Sequence, residues 1–419
     1  MNWTHLALKS LWNRKTTALL TLLMVSISVC LLLSVDRIRS DTRNSFSNTL
    51  SGSDLLVGAR TGSLNLLLYS VFRMGNATNN ISWLSYQELK SHPDIAWTIP
   101  ISLGDSHRGF RVIGTNDDYL LHYQYGRQRA IEVQQGVWFN DVFEVVLGAE
   151  VASQLDYNIG DNIVVGHGTG STSFEKHDDR PFKVVGILAP TGTPVDKSLH
   201  IPLEGITALH VDWQSGVKRQ GKATSVADTL AMDLEPEAIT VFLLGMTSRL
   251  KVFSFQRLVN DFSSEPLLAV IPGAALQELW QLISIAENAL MAVSIMVIIT
   301  GLIGMVTVII ATLNERRREI AIFRALGARR ETLLGLLMIE SGFYGVVGLI
   351  TGYILHIVMM LLANAYVQSH YGIALTVGWP NESMIYILLG FLLTATVLGV
   401  LPGYRAYRQS LSDGLSANL

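Results

Sequence analysis

Cysteine and charge are both scarce in this sequence. Cys30 is the single cysteine among 419 residues, so no disulfide can form within the chain and any soluble domain must be stabilised by its own core. Charged residues make up 16% of the chain and hydrophobic residues 49%, with a formal net charge of -3. A chain without a basic field is not expected to bind nucleic acid. The composition is instead typical of a membrane protein with a sizeable soluble part.

The common nucleotide-binding and catalytic motifs are also absent from the sequence. No GxxxxGK[ST] loop is present, and the glycine-rich stretch GHGTGSTSFEK lacks the Gly-Lys-Ser/Thr ending that would hold phosphates. There is no GxSxG nucleophile elbow and no HExxH pair. The sequence therefore predicts no catalytic residue in this chain. Any ATP is expected to be handled by a separate chain.

Ten histidines raise the question of a metal site. His167, with His177, Asp178 and Asp179, supplies residue types that bind metals. Polar loops often contain such residues, however, and no pair has helical ligand spacing. We therefore predict that this chain binds no metal, and a metal-responsive receptor or exporter is a weaker alternative.

Four apolar runs are long enough to cross a bilayer, whose hydrocarbon core takes about 20 helical residues. The first run, at 16–35, has the charged flank of a secretion signal but no small-x-small cleavage site. A lipoprotein signal centred on Cys30 is disfavoured because Val29 is large and Leu31 to Leu33 continue the run. We predict an uncleaved helix. The third run, at 332–366, is too long for one upright crossing and should tilt or extend beyond the bilayer.

Basic residues predict the orientation, because short loops rich in Lys and Arg stay in the cytoplasm. The segment between the second and third runs contains six arginines, whereas 367–382 contains no Lys or Arg. The first is predicted inside and the second outside, which places both termini in the cytoplasm. The exception is a group of arginines just beyond the first run: Arg37, Arg39 and Arg43.

We therefore predict an α-helical membrane protein with four transmembrane helices. An α+β extracytoplasmic domain of two subdomains is inserted between helices 1 and 2. Strand-like runs lie at 54–59, 95–101, 110–114, 162–166, 182–188, 239–244 and 267–271, and helical runs at 64–74, 86–92, 149–155, 203–210 and 249–262. The predicted regions are a cytoplasmic amphipathic N-terminal helix at 1–15, spans at 16–35, 287–313, 332–366 and 383–404, the extracytoplasmic domain at 36–286, a cytoplasmic helix at 314–331, an outer loop at 367–382 and a cytoplasmic tail at 405–419.

The segment 314–331 reads NERRREIAIFRALGARRE. Ile320, Phe323 and Leu326 are spaced as one short apolar face of a helix, and Gly327 is a common helix stop. The segment is therefore predicted to be a short amphipathic helix between two spans. A force-receiving element and a topology-setting loop that lies against anionic lipid both fit this pattern.

Glycines recur along the third run at spacings of three and four: Gly342, Gly345, Gly348 and Gly352. Such a stripe allows helices to approach closely. Packing within one subunit and packing across a dimer are equally compatible with the pattern.

The segment ERRREIAIFRALGARR resembles the ERxREIGxxRALGA segment of FtsX-like and MacB-like ABC transporter permeases. Three further stretches are similar to the same group: SGSDLLVGAR, LGAEVASQLDYNIGDNIVV and FKVVGILAPTGTPVDKSLHIPLEG. The order of one span, a large domain and three spans also resembles this family and covers nearly the whole chain.

The resemblance implies that the arginine-rich segment is a coupling helix that docks on a cytoplasmic ABC ATPase dimer. It implies ATPase contacts by Glu315, Arg316, Arg318, Glu319, Ile320, Phe323, Arg324, Leu326 and Gly327. It further implies mechanotransmission in the bacterial inner membrane, with a second permease copy, identical or related, and with a periplasmic adaptor or lipoprotein as a further partner. ATP and Mg would be bound by the ATPase, and no cofactor by this chain.

The expected function is a non-catalytic permease subunit that couples ATP hydrolysis to movement of a periplasmic domain. The cargo would be a peptide, a lipoprotein or another amphiphile. The alternative is a transmembrane regulator that mechanically activates a periplasmic enzyme such as a cell-wall hydrolase.

Overall fold

The structure is a computed structural model that describes residues 15–126, 128–167, 180–214, 217–218, 224–313, 320, 322, 329–371 and 375–412. The chain separates into two compact units. One, here called the helical unit, contains Met1–Thr42 and Ser284–Leu419. The other, here called the sheet unit, contains Arg43–Ile283. The predicted N-terminal helix at 1–15 lies outside the described residues except for Lys15.

The described helices are α1 (Lys15–Asn48), α2 (Ser63–Ser70), α3 (Trp83–Lys90), α4 (Asp118–His122), α5 (Ala149–Leu155), α6 (Leu203–His210), α7 (Val226–Leu230), α8 (Val252–Asn260), α9 (Pro272–Leu313), α10 (Arg330–Tyr371), α11 (Glu382–Leu398) and α12 (Val400–Ser412). Short 3-10 turns lie at Pro194–Lys197 and Arg249–Lys251.

Among the described residues, four helical stretches are long and apolar enough to cross a membrane: Lys15–Asn48, Pro272–Leu313, Arg330–Asn364 and Glu382–Ala406, the last of which includes α11 and the first part of α12. Helices α9 and α10 contain 42 residues each. At 1.5 Å per residue such a helix is about 63 Å long, about twice the thickness of a hydrocarbon core. The long third run thus lies within a single helix, α10, and whether this helix tilts or extends beyond the bilayer stays a prediction.

One apolar cluster joins the helices of the helical unit. It includes Val29 of α1, Ile309 of α9, Tyr344 of α10 and Phe391 of α11, each with at most 5% of its surface exposed. Because lipid tails are as apolar as these side chains, close packing rather than water exclusion holds such helices together.

The glycines of α10 lie where that packing is tightest. A Cβ on Gly352 would be 2.8 Å from the carbonyl oxygen of Ser26, and one on Gly348 would be 2.3 Å from Val25. Gly342 and Gly345 face α11 instead, at Thr396 and Leu392. The predicted stripe therefore contacts this chain's own helices α1 and α11.

The described strands are β1 (Leu55–Ala59), β2 (Ile81–Ser82), β3 (Ile95–His107), β4 (Phe110–Thr115), β5 (Gln124–Tyr125), β6 (Arg129–Ala130), β7 (Val133–Gly136), β8 (Glu144–Leu147), β9 (Asn162–Ile163), β10 (Gly166–His167), β11 (Phe182–Leu188), β12 (Ser198–Pro202), β13 (Trp213–Gln214), β14 (Val217–Lys218), β15 (Ala238–Ile239), β16 (Val241–Met246) and β17 (Leu267–Val270).

The main sheet has the strand order β17-β1-β16-β3-β4-β12-β8-β11-β7. Strand β3 joins its two halves, because its first part pairs with β16 through Ile99 and its second part pairs with β4 through Leu103. The pairs β12 with β4 and β11 with β8 are parallel, and the other pairs along this order are antiparallel. Mixed pairing with interspersed helices is an α+β arrangement. One continuous sheet runs through the sheet unit, and the division into two subdomains stays a prediction.

Apolar clusters lie at both ends of this sheet. Phe242 and Phe255 belong to the cluster that packs α3 and α8 on β1, β16 and β17. Phe182 and Leu199 belong to the cluster that packs α5 and α6 on the other half. Strands β1 and β16 are buried at every position, which explains their almost continuous apolar sequences.

Candidate functional site

The candidate site is the region where α9 ends and α10 begins. Of the arginine-rich segment, the structure describes Ile320, Ile322, Arg329, Arg330 and Glu331. The other residues predicted to contact an ATPase lie outside the described residues: Glu315, Arg316, Arg318, Glu319, Phe323, Arg324, Leu326 and Gly327.

Ile320 attaches this segment to the helical unit. Its side chain is 8% exposed and belongs to the apolar cluster that also contains Leu313, Leu333, Leu337 and Ala406. In this structure the side chain of Ile320 packs against the chain's own helices, and the ATPase contact that the resemblance implies for it stays a prediction. The apolar spacing alone does not tell which partner covers a face.

Ile322 has the opposite environment. It is helical and 58% exposed, although it is an isoleucine only two residues from buried Ile320. Successive helical residues are about 100° apart around the axis, so these two side chains point to different sides. Ile320 therefore packs on the helical unit, whereas Ile322 is exposed.

The first turn of α10 is stabilised by a backbone hydrogen bond and by a favourably placed negative charge. The backbone nitrogen of Thr332 donates to the carbonyl of Arg329 at 3.1 Å, and Glu331 is in the first turn, where a negative charge is favourable. The guanidinium carbon of Arg330 lies 5.5 Å from the ring centroid of Tyr404, within the range of a cation-π interaction.

Glycines also bring α12 and the end of α11 very close to this part of α10. A Cβ on Gly399 would lie 2.8 Å from the carbonyl oxygen of Leu337, and one on Gly403 would lie 2.7 Å from the side chain of Leu334. Helices packed this closely resist sliding past one another.

A polar network lies in the helical unit near the other end of α10. Arg37 forms an ion pair with Asp41 at 3.2 Å and donates to the carbonyl of Thr376 at 2.8 Å. The backbone nitrogen and hydroxyl of Thr376 both donate to the Asp41 carboxylate, at 2.8 and 2.9 Å. This network attaches the segment before α11 to α1.

The three arginines that disagreed with the orientation rule all have partners. Arg37 pairs with Asp41, and Arg39 pairs with Glu287 at 2.8 Å. Arg43 lies over the ring of Trp280 at 5.5 Å. Two of the three arginines are thus paired with carboxylates.

Further polar contacts link α1 to α10. The hydroxyl of Ser34 and Nδ1 of His356 are 2.9 Å apart, and the hydroxyls of Ser26 and Thr351 are hydrogen-bonded. Such contacts between membrane helices contribute about 0.6 kcal/mol each on average. They fix the register of α1 against the glycine-bearing face of α10.

No group of three His, Cys, Asp or Glu residues suited to a metal ion occurs in the part of the chain that the structure describes. The residues His177, Asp178 and Asp179 lie outside it. His107 is engaged with protein groups, since its ring nitrogens contact the carbonyl of Val164 and the hydroxyl of Tyr157.

Sequence reasoning missed the exposed Ile322, the Arg37–Asp41–Thr376 network and the two glycines of the α11–α12 junction. The network joins residues that are far apart in sequence, so no local sequence pattern predicts it. The stretch from Gly399 to Gly403, with two glycines and a proline at the end of the last apolar run, was a usable signal of close helix packing.

Family models match the chain over most of its length. A MacB-like periplasmic core domain matches residues 18–240, and an FtsX-like permease C-terminal region matches residues 291–411.

Individual relatives are more distant. An uncharacterized ABC transporter permease of Methanocaldococcus jannaschii is 20% identical over 413 residues, which is 95% of this chain and 92% of the relative. The macrolide export ATP-binding/permease protein MacB of Nitrobacter winogradskyi is 27% identical over 83% of this chain. The chain spans 51% of that MacB protein and 45% of the pyoverdine export ATP-binding/permease protein of Pseudomonas entomophila, to which it is 25% identical.

Among solved structures, the periplasmic region of MacB from Actinobacillus actinomycetemcomitans aligns with a TM-score of 0.33 and 12% identity. The alignment covers 54% of this chain and 93% of that chain.

Proposed function

The chain belongs to the family of ABC transporter permeases with a MacB-like periplasmic core domain and an FtsX-like C-terminal region, and from this we propose that it is a non-catalytic coupling subunit. A separate cytoplasmic ATPase dimer binds its arginine-rich segment. ATP hydrolysis then moves the membrane helices and with them the sheet unit on the periplasmic side.

The observation that carries this proposal is the two-sided environment of the arginine-rich segment. Ile320 is buried in the same cluster as the ends of α9 and α10, while Ile322 is 58% exposed. A segment held by one face and open on another suits an element that receives force. A loop lying freely on lipid would not need a buried anchor among the helices.

The orientation in the proposal comes from charge. The six arginines of 314–331 favour the cytoplasm for that end, and the absence of Lys and Arg from 367–382 favours the periplasm for the opposite end. With both termini in the cytoplasm, the sheet unit is inserted between the first two spans and lies outside the inner membrane.

The proposed cargo is a peptide, a lipoprotein or another amphiphile that the sheet unit extrudes or extracts. Relatives whose names include macrolide export and pyoverdine export support an export role for a MacB-like permease. Two copies of the permease, identical or related, would act together, with a periplasmic adaptor as a further partner. ATP and Mg would be bound by the ATPase, since the sequence has no phosphate-binding loop.

Copurification tests the partnership directly. The tagged chain, extracted from its native membrane in mild detergent, is expected to bring an ABC ATPase with it, identified by mass spectrometry. Repeated isolation without an ATPase would oppose the proposal. Recovery of a cell-wall hydrolase crosslinked to the sheet unit would favour the regulatory alternative.

Point variants test the docking face. Ile322→Asp and Phe323→Asp each place a charge on the proposed apolar contact, and they should reduce ATPase association and stimulated ATP hydrolysis at least tenfold, because a buried unpaired charge is strongly unfavourable. The readouts are the amount of copurified ATPase and its hydrolysis rate.

Two control variants separate docking from folding. Leu250→Asp changes a residue of the sheet unit that is 92% exposed and should leave association unchanged. Ile320→Ala removes a buried side chain and should lower the stability of the helical unit by about 2–4 kcal/mol. Normal ATPase binding by both Ile322→Asp and Phe323→Asp would contradict the docking assignment.

A further inference from the structure

A cleft of about 550 Å³ opens in the sheet unit beside the segment that follows α2. Its walls are formed by that segment, from Arg73 to Asn80, and by Tyr69, Leu103, Gly104 and Arg111. The lining contains two arginines, a tyrosine, a threonine and three asparagines, and no Asp or Glu is among the described residues that form it. The cleft is thus rich in hydrogen-bond donors and positively charged.

Neither arginine is neutralised by the contacts it makes. Arg111 donates to the carbonyl of Gly75 at 2.6 Å and to the amide oxygen of Asn76 at 3.0 Å, and Arg73 donates to the carbonyl of Ser70. All three acceptors are uncharged. Burial and, after it, the positive charge of Arg73 lower the pKa of Arg111, which shows that the two cations repel each other.

The backbone at Arg73 adds a second unusual feature. Arg73 has a φ of 60°, and the backbone nitrogen of Met74 donates to the carbonyl of Leu68 at 3.0 Å. A φ of this value lies in the left-handed region, which glycine adopts more readily than other residues. An arginine at this position is less favourable for the backbone than a glycine would be. The sequence nevertheless has an arginine here, beside the cleft, at some cost in backbone strain.

We propose that this cleft binds an oxyanion of the phosphate class, either free phosphate or a phosphate ester. Guanidinium groups can donate to phosphate oxygens through charge-assisted hydrogen bonds. One bound anion would relieve the repulsion between the two arginines. A phosphate group fills only part of such a volume, so there is room for an organic substituent. The proposal does not depend on the coupling function.

Isothermal titration calorimetry on the full chain in neutral detergent tests this site. The probes are inorganic phosphate and glycerol 3-phosphate, with glycerol as the uncharged comparison and dihexanoyl phosphatidylglycerol as the lipid headgroup. Phosphate and glycerol 3-phosphate should bind and glycerol should not. Tighter binding of the short-chain lipid than of glycerol 3-phosphate would identify a headgroup as the source of the anion, and equal or weaker binding would identify a soluble phosphate.

Arg73→Gly and Arg111→Gln should each weaken phosphate binding about tenfold or more, because each removes charge-assisted hydrogen bonds. Arg73→Gly is the sharper variant, since glycine suits the left-handed position and keeps the turn intact. Its melting temperature should stay within about 2 °C of the wild type.

Lys251→Gln is the matched control, because it removes a positive charge from the sheet unit at an ion pair with Asp94 that is away from the cleft lining. It should bind phosphate as the wild type does. Undiminished binding by Arg73→Gly and Arg111→Gln, or no phosphate binding by the folded wild type, would overturn the proposal. ATPase association measured in the same variants reports separately on the coupling function.

Discussion

One buried histidine of the sheet unit, His200, makes the stability of that unit depend on pH. His200 is fully buried, with its ring centroid 5.1 Å from that of Tyr119 and 6.0 Å from that of Trp138. Burial and, after it, the positive charge of Arg73 lower the pKa of His200 to about 3. The imidazole is therefore neutral in the folded protein at any physiological pH.

This shift makes stability depend on pH with a defined sign. An unfolded histidine has a pKa of about 6.5, so between about pH 6.5 and pH 3 the unfolded chain binds a proton that the folded chain does not. The free energy of unfolding should then fall by about 1.4 kcal/mol per pH unit below about pH 6.5. The measurement is the thermal midpoint of the sheet unit from pH 7 to pH 4.5.

His200→Leu provides the comparison. Leucine cannot bind a proton, so the variant should lose less stability than the wild type as the pH falls, whatever its stability at pH 7. Parallel pH profiles for the two proteins would contradict a neutral buried His200.

At the scale of elements, the glycines of α10 make a prediction about helix packing. A Cβ on Gly352 would meet the backbone of α1 at the Ser26 carbonyl, whereas a Cβ on Gly390 of α11 has no atom within 4 Å. Gly352→Ala should lower the melting temperature in detergent, since backbone atoms must move apart. Gly390→Ala should keep or raise it, because alanine favours a helix by about 1 kcal/mol over glycine. Equal shifts in the two variants would show that Gly352 does not determine the approach of α1.

Local sequence predicted some elements of the sheet unit well. The predicted strand at 182–188 is β11, and the predicted helices at 149–155 and 203–210 are α5 and α6. Each has a clear apolar period and a start or stop signal in the sequence. Strand β3 was predicted only to Ile101 and continues to His107, because its second half is held by pairing with β4, which local sequence does not report.

Other elements depend on tertiary pairing. Strands β8 and β12 were missed, since four or five residues flanked by other strands have too little pattern of their own. Helix α9 was predicted from about residue 287 and begins at Pro272, because the polar side chains of its first turns hide its continuity with the apolar run. The candidate site could be predicted only in part from the sequence, because it too depends on tertiary packing. The arginine clustering marked the segment, but which isoleucine was buried depended on the packing of α10 and α12.

At the scale of the whole molecule, orientation is the property on which the proposed function depends. The Arg37–Asp41–Thr376 network puts the part of α1 around Arg37 and the segment before α11 at the same end of the helical unit. Ile320 clusters with Leu313, Leu333 and Ala406 at the other end. One orientation would therefore assign both ends, and the proposed function has the second end in the cytoplasm, as the arginine-rich sequence favours.

Single-cysteine labelling with a membrane-impermeant maleimide tests that orientation. Cys30 is 5% exposed and lies within the first span, so the wild type should remain unlabelled and serves as the control. Trp379→Cys, at a position 84% exposed, should label from the periplasmic side in cells with a permeabilised outer membrane. Ile322→Cys should label only in inverted vesicles, because its segment is cytoplasmic in the proposed coupling. Labelling of Ile322→Cys from the periplasmic side would contradict the proposed ATPase contact, since a cytoplasmic ATPase could not reach residue 322.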